Sequence, residues 1–319
     1  MCTAISCSQN HHWFGRNLDM ECSFGEEIII TPRNYRIDFR SKSSSFRHHA
    51  IIGTGIVKGD YPLYYDAANE HGLAMAALRY ADAKYANPTS DKDNIASYEV
   101  ILWVLSQCKN VDEAKKLLKK ANVTTAAFAK DMPPSPLHWI ISDKKASLTL
   151  ECESGETKIY ENQIGVLTNM PSFDKQLFNL NNYINLTVNH PESRFAKELD
   201  LSAYSRGMGA IGMPGDWSSM SRFVRATFAK YNSVSFENHV QFFHILGTAA
   251  QIKGCTITQD GEYEYTVYAS CYDTDLGVCY YKTYENLAIG AVDMKKENLD
   301  SSELITHKMI YENTVTWQN

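Results

Sequence analysis

The chain has 319 residues, 44% of them hydrophobic and 21% charged, which is enough apolar material for a sizeable core. A net charge of −6 with no basic stripe excludes a nucleic-acid binder. No stretch approaches the roughly 18 consecutive apolar residues of a membrane span.

The start, Met1-Cys-Thr-Ala-Ile-Ser-Cys-Ser8, has neither a basic nor an apolar leader region, so no secretory signal is expected. Cys2 to Ser8 and Trp13 to Asp19 read as two strands around a turn at Gln9-Asn10-His11. Further strands are predicted at Glu27–Thr31, Tyr35–Arg40, Ala50–Val57 and Gly72–Leu78. Helices follow at Ser97–Cys108 and Val111–Ala121. Asn110 caps the second, whose apolar face is Val111, Ala114, Leu117 and Leu118. Strands resume at Leu137–Ser142, Ser147–Glu153 and Gly165–Thr168. After the glycine-rich loop Ser205–Gly215, helices are predicted at Ser219–Tyr231 and Glu237–Ile252. The C-terminal part returns to strands at Tyr263–Tyr272, Val278–Tyr284 and Leu287–Asp293. Strands, helices and strands again, with no repeat or linker, suggest one layered domain over residues 1–319.

The eight cysteines show no Cys-x-x-Cys spacing, so neither a disulfide framework nor a zinc site is expected, and a reducing cytoplasm is the default location. His11-His12 and His48-His49 are read as surface histidines, because adjacent strand residues point to opposite faces and do not converge on one metal. The Gly207–Gly215 loop lacks the Gly-Lys-Ser/Thr of a phosphate cradle.

Cys2 carries the chemistry. An initiator Met is normally trimmed before a small residue, which leaves one residue with both a thiol and a free α-amine. That amine has an ordinary pKa of about 7.7–8.0 and accepts a proton near neutrality. A thiol is a strong nucleophile once ionised. One residue thus offers nucleophile and base together. By position alone, a plain small residue opening a strand is the better reading; the neighbours reverse it. A turn at Asn10-His11 pairs residues whose numbers sum to about 21, placing Asp19 beside Cys2 and Arg16 close by. A carboxylate there can hold the α-ammonium, and a guanidinium can stabilise a thiolate.

With these residues in view, the sequence resembles the choloylglycine hydrolase family of bile salt hydrolases and penicillin V acylases. The resemblance rests on Met1-Cys2-Thr3, Phe14-Gly-Arg-Asn-Leu-Asp19, Ile30-Thr-Pro-Arg-Asn34, Asn69-Glu-His-Gly-Leu73, Pro136-Leu-His-Trp139, Val166-Leu-Thr-Asn-Met-Pro171, Gly212-Met-Pro-Gly-Asp216, Ser221-Arg-Phe223 and Tyr284-Glu-Asn286. It covers essentially the whole chain and is nearer to the bile salt hydrolases of Gram-positive gut bacteria.

The resemblance implies an α+β, N-terminal-nucleophile fold: an αββα sandwich of two antiparallel sheets between helical layers, assembled as a homotetramer. It implies hydrolysis of glycine- and taurine-conjugated bile salts through a Cys2 thioester, without cofactor or metal, and with amine acyltransferase activity as a side reaction. Arg16 and Asp19 would surround Cys2, Asn169 would donate to the oxyanion, and Arg222 would complete the polar shell. Arg79 departs from the pattern: bile salt hydrolases usually carry Asn here and penicillin V acylases often Tyr. The family's role for this position is a backbone N–H in the oxyanion hole, which does not depend on the side chain. The Arg79 guanidinium is then expected toward the glycine or taurine end. Leu18, Phe24, Tyr65, Phe128, Met132 and Leu137 are candidates for the steroid trough, with ordinary packing as the alternative for each. The competing functions are a penicillin V acylase and an inactive bile-acid-binding relative.

Overall fold

The computed structural model describes all residues except Ser43, Ser235 and Phe236. Strands β1 (Cys2–Ser8) and β2 (His12–Met20) form the expected hairpin. Its register is one residue off the expected one: Cys2 lies opposite Leu18 and Ala4 opposite Arg16. A one-residue change reverses which face each side chain occupies. Cys2, Arg16 and Leu18 therefore share one face, while Asp19 falls on the other and its N–H donates to Met1 O (3.0 Å).

Next come β3 (Glu27–Thr31), β4 (Ile51–Lys58), β5 (Tyr61–Asn69), β6 (Ala74–Arg79) and the short β7 (Asp93–Ala96). Tyr35–Arg40, expected as a strand, is not one; only Ile37 makes an isolated bridge, to Ser45. The expectation missed β5, because Pro62, Asp66 and Asn69 are poor strand formers; two of them turn out to be anchors. Asp66 is fully buried and accepts from Ser270 Oγ (2.6 Å), Tyr268 Oη (2.5 Å) and Tyr272 Oη (2.8 Å). Asn69 closes the β5–β6 turn, where Gly72 takes φ +88°.

The Ser97–Cys108 helix shrinks to a 3₁₀ turn and α1 (Val100–Leu105). Asn110 caps α2 (Val111–Leu118) as expected, its Oδ1 accepting from Glu113 N–H at 3.0 Å. The chain continues through β8 (Ala121–Thr124), β9 (Leu137–Ser142), β10 (Ser147–Glu153), β11 (Glu156–Glu161), β12 (Val166–Leu167) and α3 (Phe173–Asn179). Helices α4 (Ser219–Asn232) and α5 (His239–Gly247) precede β13 (Tyr265–Asp273), β14 (Val278–Thr283), β15 (Gly290–Asp293) and β16 (Ile305–Lys308).

Two antiparallel sheets stack: β12-β1-β2-β13-β14-β15, and β11-β10-β9-β6-β5-β4-β3-β16. In the second sheet Ile28, Ile30, Ile52, Ala76 and Leu78 pack into the core shared with the first sheet. Ile29, Ile51, Met75 and Ala77 pack into a second core with α1 and α2. Both faces are buried, which is why these strands read as continuous apolar runs. Residues of α4 and α5, among them Phe223, Phe242 and Leu246, join the core of the first sheet. The architecture is α+β with αββα layers.

Two histidine expectations are corrected. His12 is fully buried, bonded to Thr274 Oγ1 (2.8 Å) and Ser6 Oγ (3.1 Å), and burial pulls its pKa down to about 4. His48 is buried as well, its ring nitrogens spent on the carbonyls of His49 and Tyr35 (2.8 Å each). Neither is a surface histidine.

Gly15 fixes how closely β2 and β13 approach, since a Cβ there would lie 2.0 Å from Ser270 O. Gly15→Ala must push the strands apart next to Arg16. Urea unfolding should show a loss of about 1–3 kcal/mol, the usual cost of overpacking a core; unchanged stability would contradict the close approach.

Candidate active site

The site lies where the first sheet meets a parting of the second. Strands β5 and β6 pair only as far as Asp66 and Ala76, then diverge. The guanidinium of Arg16 enters this gap from β2. Its Nη1 donates to Ala77 O (2.5 Å) and Tyr65 O (3.3 Å), and its Nη2 donates to Cys2 Sγ (2.5 Å). Burial alone would weaken this cation, but the Cys2 sulfur, Tyr268 and Asp66 outweigh it and hold its pKa above the ordinary arginine value. Asp66, tied down by three hydroxyls, is the nearby counter-charge that the sequence did not reveal.

Met1 heads the chain, so the Cys2 nitrogen is an amide; it donates to Asn169 Oδ1 (2.8 Å). The same oxygen accepts from Arg222 Nη2 (2.7 Å), and Asn169 Nδ2 donates to Arg79 O (2.8 Å). Asn169 thereby stitches together β1, β6 and α4. Its own backbone is clamped: the N–H donates to Ser219 Oγ (2.8 Å), and the carbonyl accepts from Gln176 Nε2 (2.5 Å). Gln176 and Ser219 carried no sequence signal, because their work is holding a loop in place.

Arg222, fully buried on α4, donates to Cys2 O (2.5 Å) and Thr3 Oγ1 (2.7 Å). Asp19 sits on this helix-facing side. Its Oδ1 accepts from Thr266 Oγ1 (2.6 Å), while its Oδ2 lies 3.8 Å from Arg222 and has no hydrogen-bond partner among the described residues. Burial raises the Asp19 pKa, with Arg222 only partly opposing it. Burial likewise lowers that of Arg222, with Asp19 and the Cys2 sulfur opposing. An unpartnered, fully buried carboxylate oxygen is costly, and an ammonium group close by would relieve it.

Arg79 ends β6. The N–H that crosses to β9 at this level is that of Tyr80, donated to Pro136 O (2.8 Å). Strand alternation then turns the Arg79 N–H to the opposite edge, the edge where Ala77 O meets Arg16 and Arg79 O meets Asn169. The Arg79 side chain is exposed, lines the cavity and makes no ion pair among the described residues.

That cavity measures about 340 Å³ and its lining is mostly apolar. Cys2, Arg16 and Asp19 are among its lining residues. Leu18, Phe24, Tyr65, Phe128, Met132 and Leu137 all line it, so every residue expected in the trough is brought to one place. Met1 also lines it, so removing Met1 would enlarge the cavity as well as free the Cys2 amine. Sequence reading missed Tyr98 and the Pro133–Pro136 segment, which also line it.

A family-wide profile for linear amide C–N hydrolases of the choloylglycine hydrolase family matches residues 2–307. A bile salt hydrolase/transferase of Lactiplantibacillus plantarum is 48% identical over 314 residues, covering 97% of each chain. A bile salt hydrolase/transferase of Clostridium perfringens is 38% identical, again over 97% of each chain. The crystal structure of a mutant conjugated bile acid hydrolase from Clostridium perfringens superposes with a TM-score of 0.95 at 36% identity, covering 100% of both chains. A penicillin V acylase from Agrobacterium tumefaciens shares the fold (TM-score 0.76) at 21% identity, over 98% of this chain and 95% of that one.

Proposed function

This chain belongs to the choloylglycine hydrolase family of linear amide C–N hydrolases, and on that premise we propose that it cleaves the amide bond of glycine- and taurine-conjugated bile salts. The observation that carries the reading is the Cys2 sulfur, held by the Arg16 guanidinium in the wall of a mostly apolar cavity of about 340 Å³.

With Met1 removed, the Cys2 amine takes the proton of its own thiol, and the orphaned Asp19 Oδ2 has an ammonium to face. The thiolate, steadied by Arg16, attacks the amide carbonyl. The oxyanion is received by the free N–H of the Asn169 amide and the Arg79 backbone N–H. The α-ammonium then protonates the departing glycine or taurine nitrogen, and water releases the cholyl group with the amine again as base. An amino acid in place of water gives the acyltransferase side reaction.

Glycocholate and phenoxymethylpenicillin assayed side by side test the substrate class. Efficient glycine release with little penicillin turnover supports the reading. The reverse makes the chain a penicillin V acylase, and no turnover of either makes it a binding protein.

The Arg79 guanidinium would pair with the carboxylate or sulfonate of the conjugate. An exposed ion pair is worth about 0.2–1 kcal/mol, up to roughly fivefold in KM. Arg79→Asn should raise KM for glycocholate and taurocholate by that factor and leave kcat nearly unchanged. A cholyl amide with an uncharged leaving group should be unaffected, and unchanged KM for the conjugates would remove this role.

Residues 1–319 would act as one domain, since each sheet draws strands from both ends of the chain. A homotetramer is supported by the arm between α3 and α4, where Ile184, Phe195 and Ile211 stand exposed beside Phe178 at the end of α3 and would bury against other copies. A cytoplasmic location suits eight free thiols. No helix among the described residues is long and apolar enough to cross a membrane.

A further inference from the structure

At the end of β6 away from Arg79, the turn between β5 and β6 meets the segment that leads into β4. The two are zipped by reciprocal bonds: Glu70 N–H donates to Ala50 O (2.9 Å), and Ala50 N–H donates to Glu70 Oε1 (2.9 Å). The His49 N–H is fixed to Ser106 O (3.1 Å) and the His71 N–H to Asn69 Oδ1 (3.1 Å). The Asn69 side chain is itself anchored on Leu105 O and Cys108 O (2.8 and 2.7 Å). Both histidine backbones are thus held in place. Their rings converge, with His49 Nδ1 and His71 Nε2 3.0 Å apart and the ring planes at 82°. His48 takes no part in this convergence, because both of its ring nitrogens face carbonyls.

We propose that His49 Nδ1, His71 Nε2 and a Glu70 carboxylate oxygen form a binding site for a borderline divalent cation such as Zn²⁺ or Ni²⁺. These three ligand atoms lie within 4.8 Å of one another. Two imidazoles on a tetrahedral ion with metal–nitrogen distances of about 2.0–2.1 Å stand roughly 3.3 Å apart. The observed spacing therefore needs only a small rotation of the exposed His71. Imidazole and carboxylate together select ions of this class over Mg²⁺ or Ca²⁺, which take oxygen ligands.

Glu70 now accepts three bonds from Arg33, Nε to Oε1 and Oε2 (3.1 and 3.0 Å) and Nη2 to Oε2 (2.6 Å). It becomes a ligand by giving up one of them, while Arg33 keeps its bond to Asp300 (2.9 Å). The bound ion would pin the β5–β6 turn to the entry of β4. The site is independent of the amidase reading.

Cobalt titration of the metal-free Cys2→Ala protein, in which the reactive sulfur cannot compete, tests the site. The expected result is one saturable equivalent with visible bands of a tetrahedral nitrogen–oxygen site and no thiolate charge-transfer band, displaced by Zn²⁺. His49→Ala and His71→Ala should each weaken binding at least tenfold, and His71→Ala in the Cys2-containing enzyme should hydrolyse amide normally, confirming that the fold is intact. No saturable binding, binding left unweakened by either substitution, or a thiolate signature from the exposed Cys22 or Cys255 would overturn the proposal.

Discussion

Replacing Cys2 by alanine is expected to abolish amide hydrolysis, a loss on the order of 10⁶ in kcat, as when a serine hydrolase loses its nucleophile. No neighbouring group can substitute. Arg16 lies within bonding distance of the sulfur but is a permanent cation, and Asn169 is an amide. The variant should fold, because Arg16 keeps Ala77 O and Tyr65 O and Arg222 keeps Cys2 O, none of which involves the sulfur. Cys2→Ser should also fall by several orders of magnitude. A hydroxyl ionises far less readily than a thiol, so the charge on which Arg16 acts would be missing. A Cys2→Ala enzyme with measurable turnover would mean that another group attacks the carbonyl.

Asn169→Ala carries the second largest expected effect. Its side chain accepts from the Cys2 nitrogen and from Arg222, donates to Arg79 O and has one further N–H to offer the oxyanion. Loss of a single oxyanion donor costs roughly 10²–10³ in kcat. The substitution also releases the tether on the nitrogen that must act as base, so the loss should reach at least the upper part of that range. KM should change far less, because the proposed steroid trough is lined by Leu18, Tyr65 and Phe128 and not by Asn169. Steady-state kinetics on glycocholate separates the two. A rise in KM with kcat preserved would assign Asn169 to substrate binding.

Much of the site was legible because its chemistry is tied to sequence neighbours. Cys2, Arg16 and Leu18 lie on one hairpin, and a turn at Gln9–His11 suffices to bring them together. The turn does not by itself specify register, and a one-residue error was enough to pair Asp19 directly with Cys2 rather than set it on the face toward Arg222. Asp66 was hidden for a different reason: it sits in a strand whose polar residues argue locally against strand. Only the tertiary structure shows that Tyr268, Ser270 and Tyr272, some two hundred residues away, make its burial tolerable. Gln176 and Ser219 act only through the backbone of Asn169, and no residue-type pattern announces such a role. His12 and His48 read as surface residues because periodicity does not reveal the hydroxyls and carbonyls that satisfy a buried ring.

The account rests on one residue supplying both sulfur and amine, and rapid-quench mass spectrometry of the enzyme mixed with glycocholate tests this directly. The predicted result is a mature chain that begins at Cys2 and transiently gains a cholyl group, released by hydroxylamine and located to the N-terminal peptide. A fully active enzyme that retains Met1, or an acyl group found on any other residue, would contradict it.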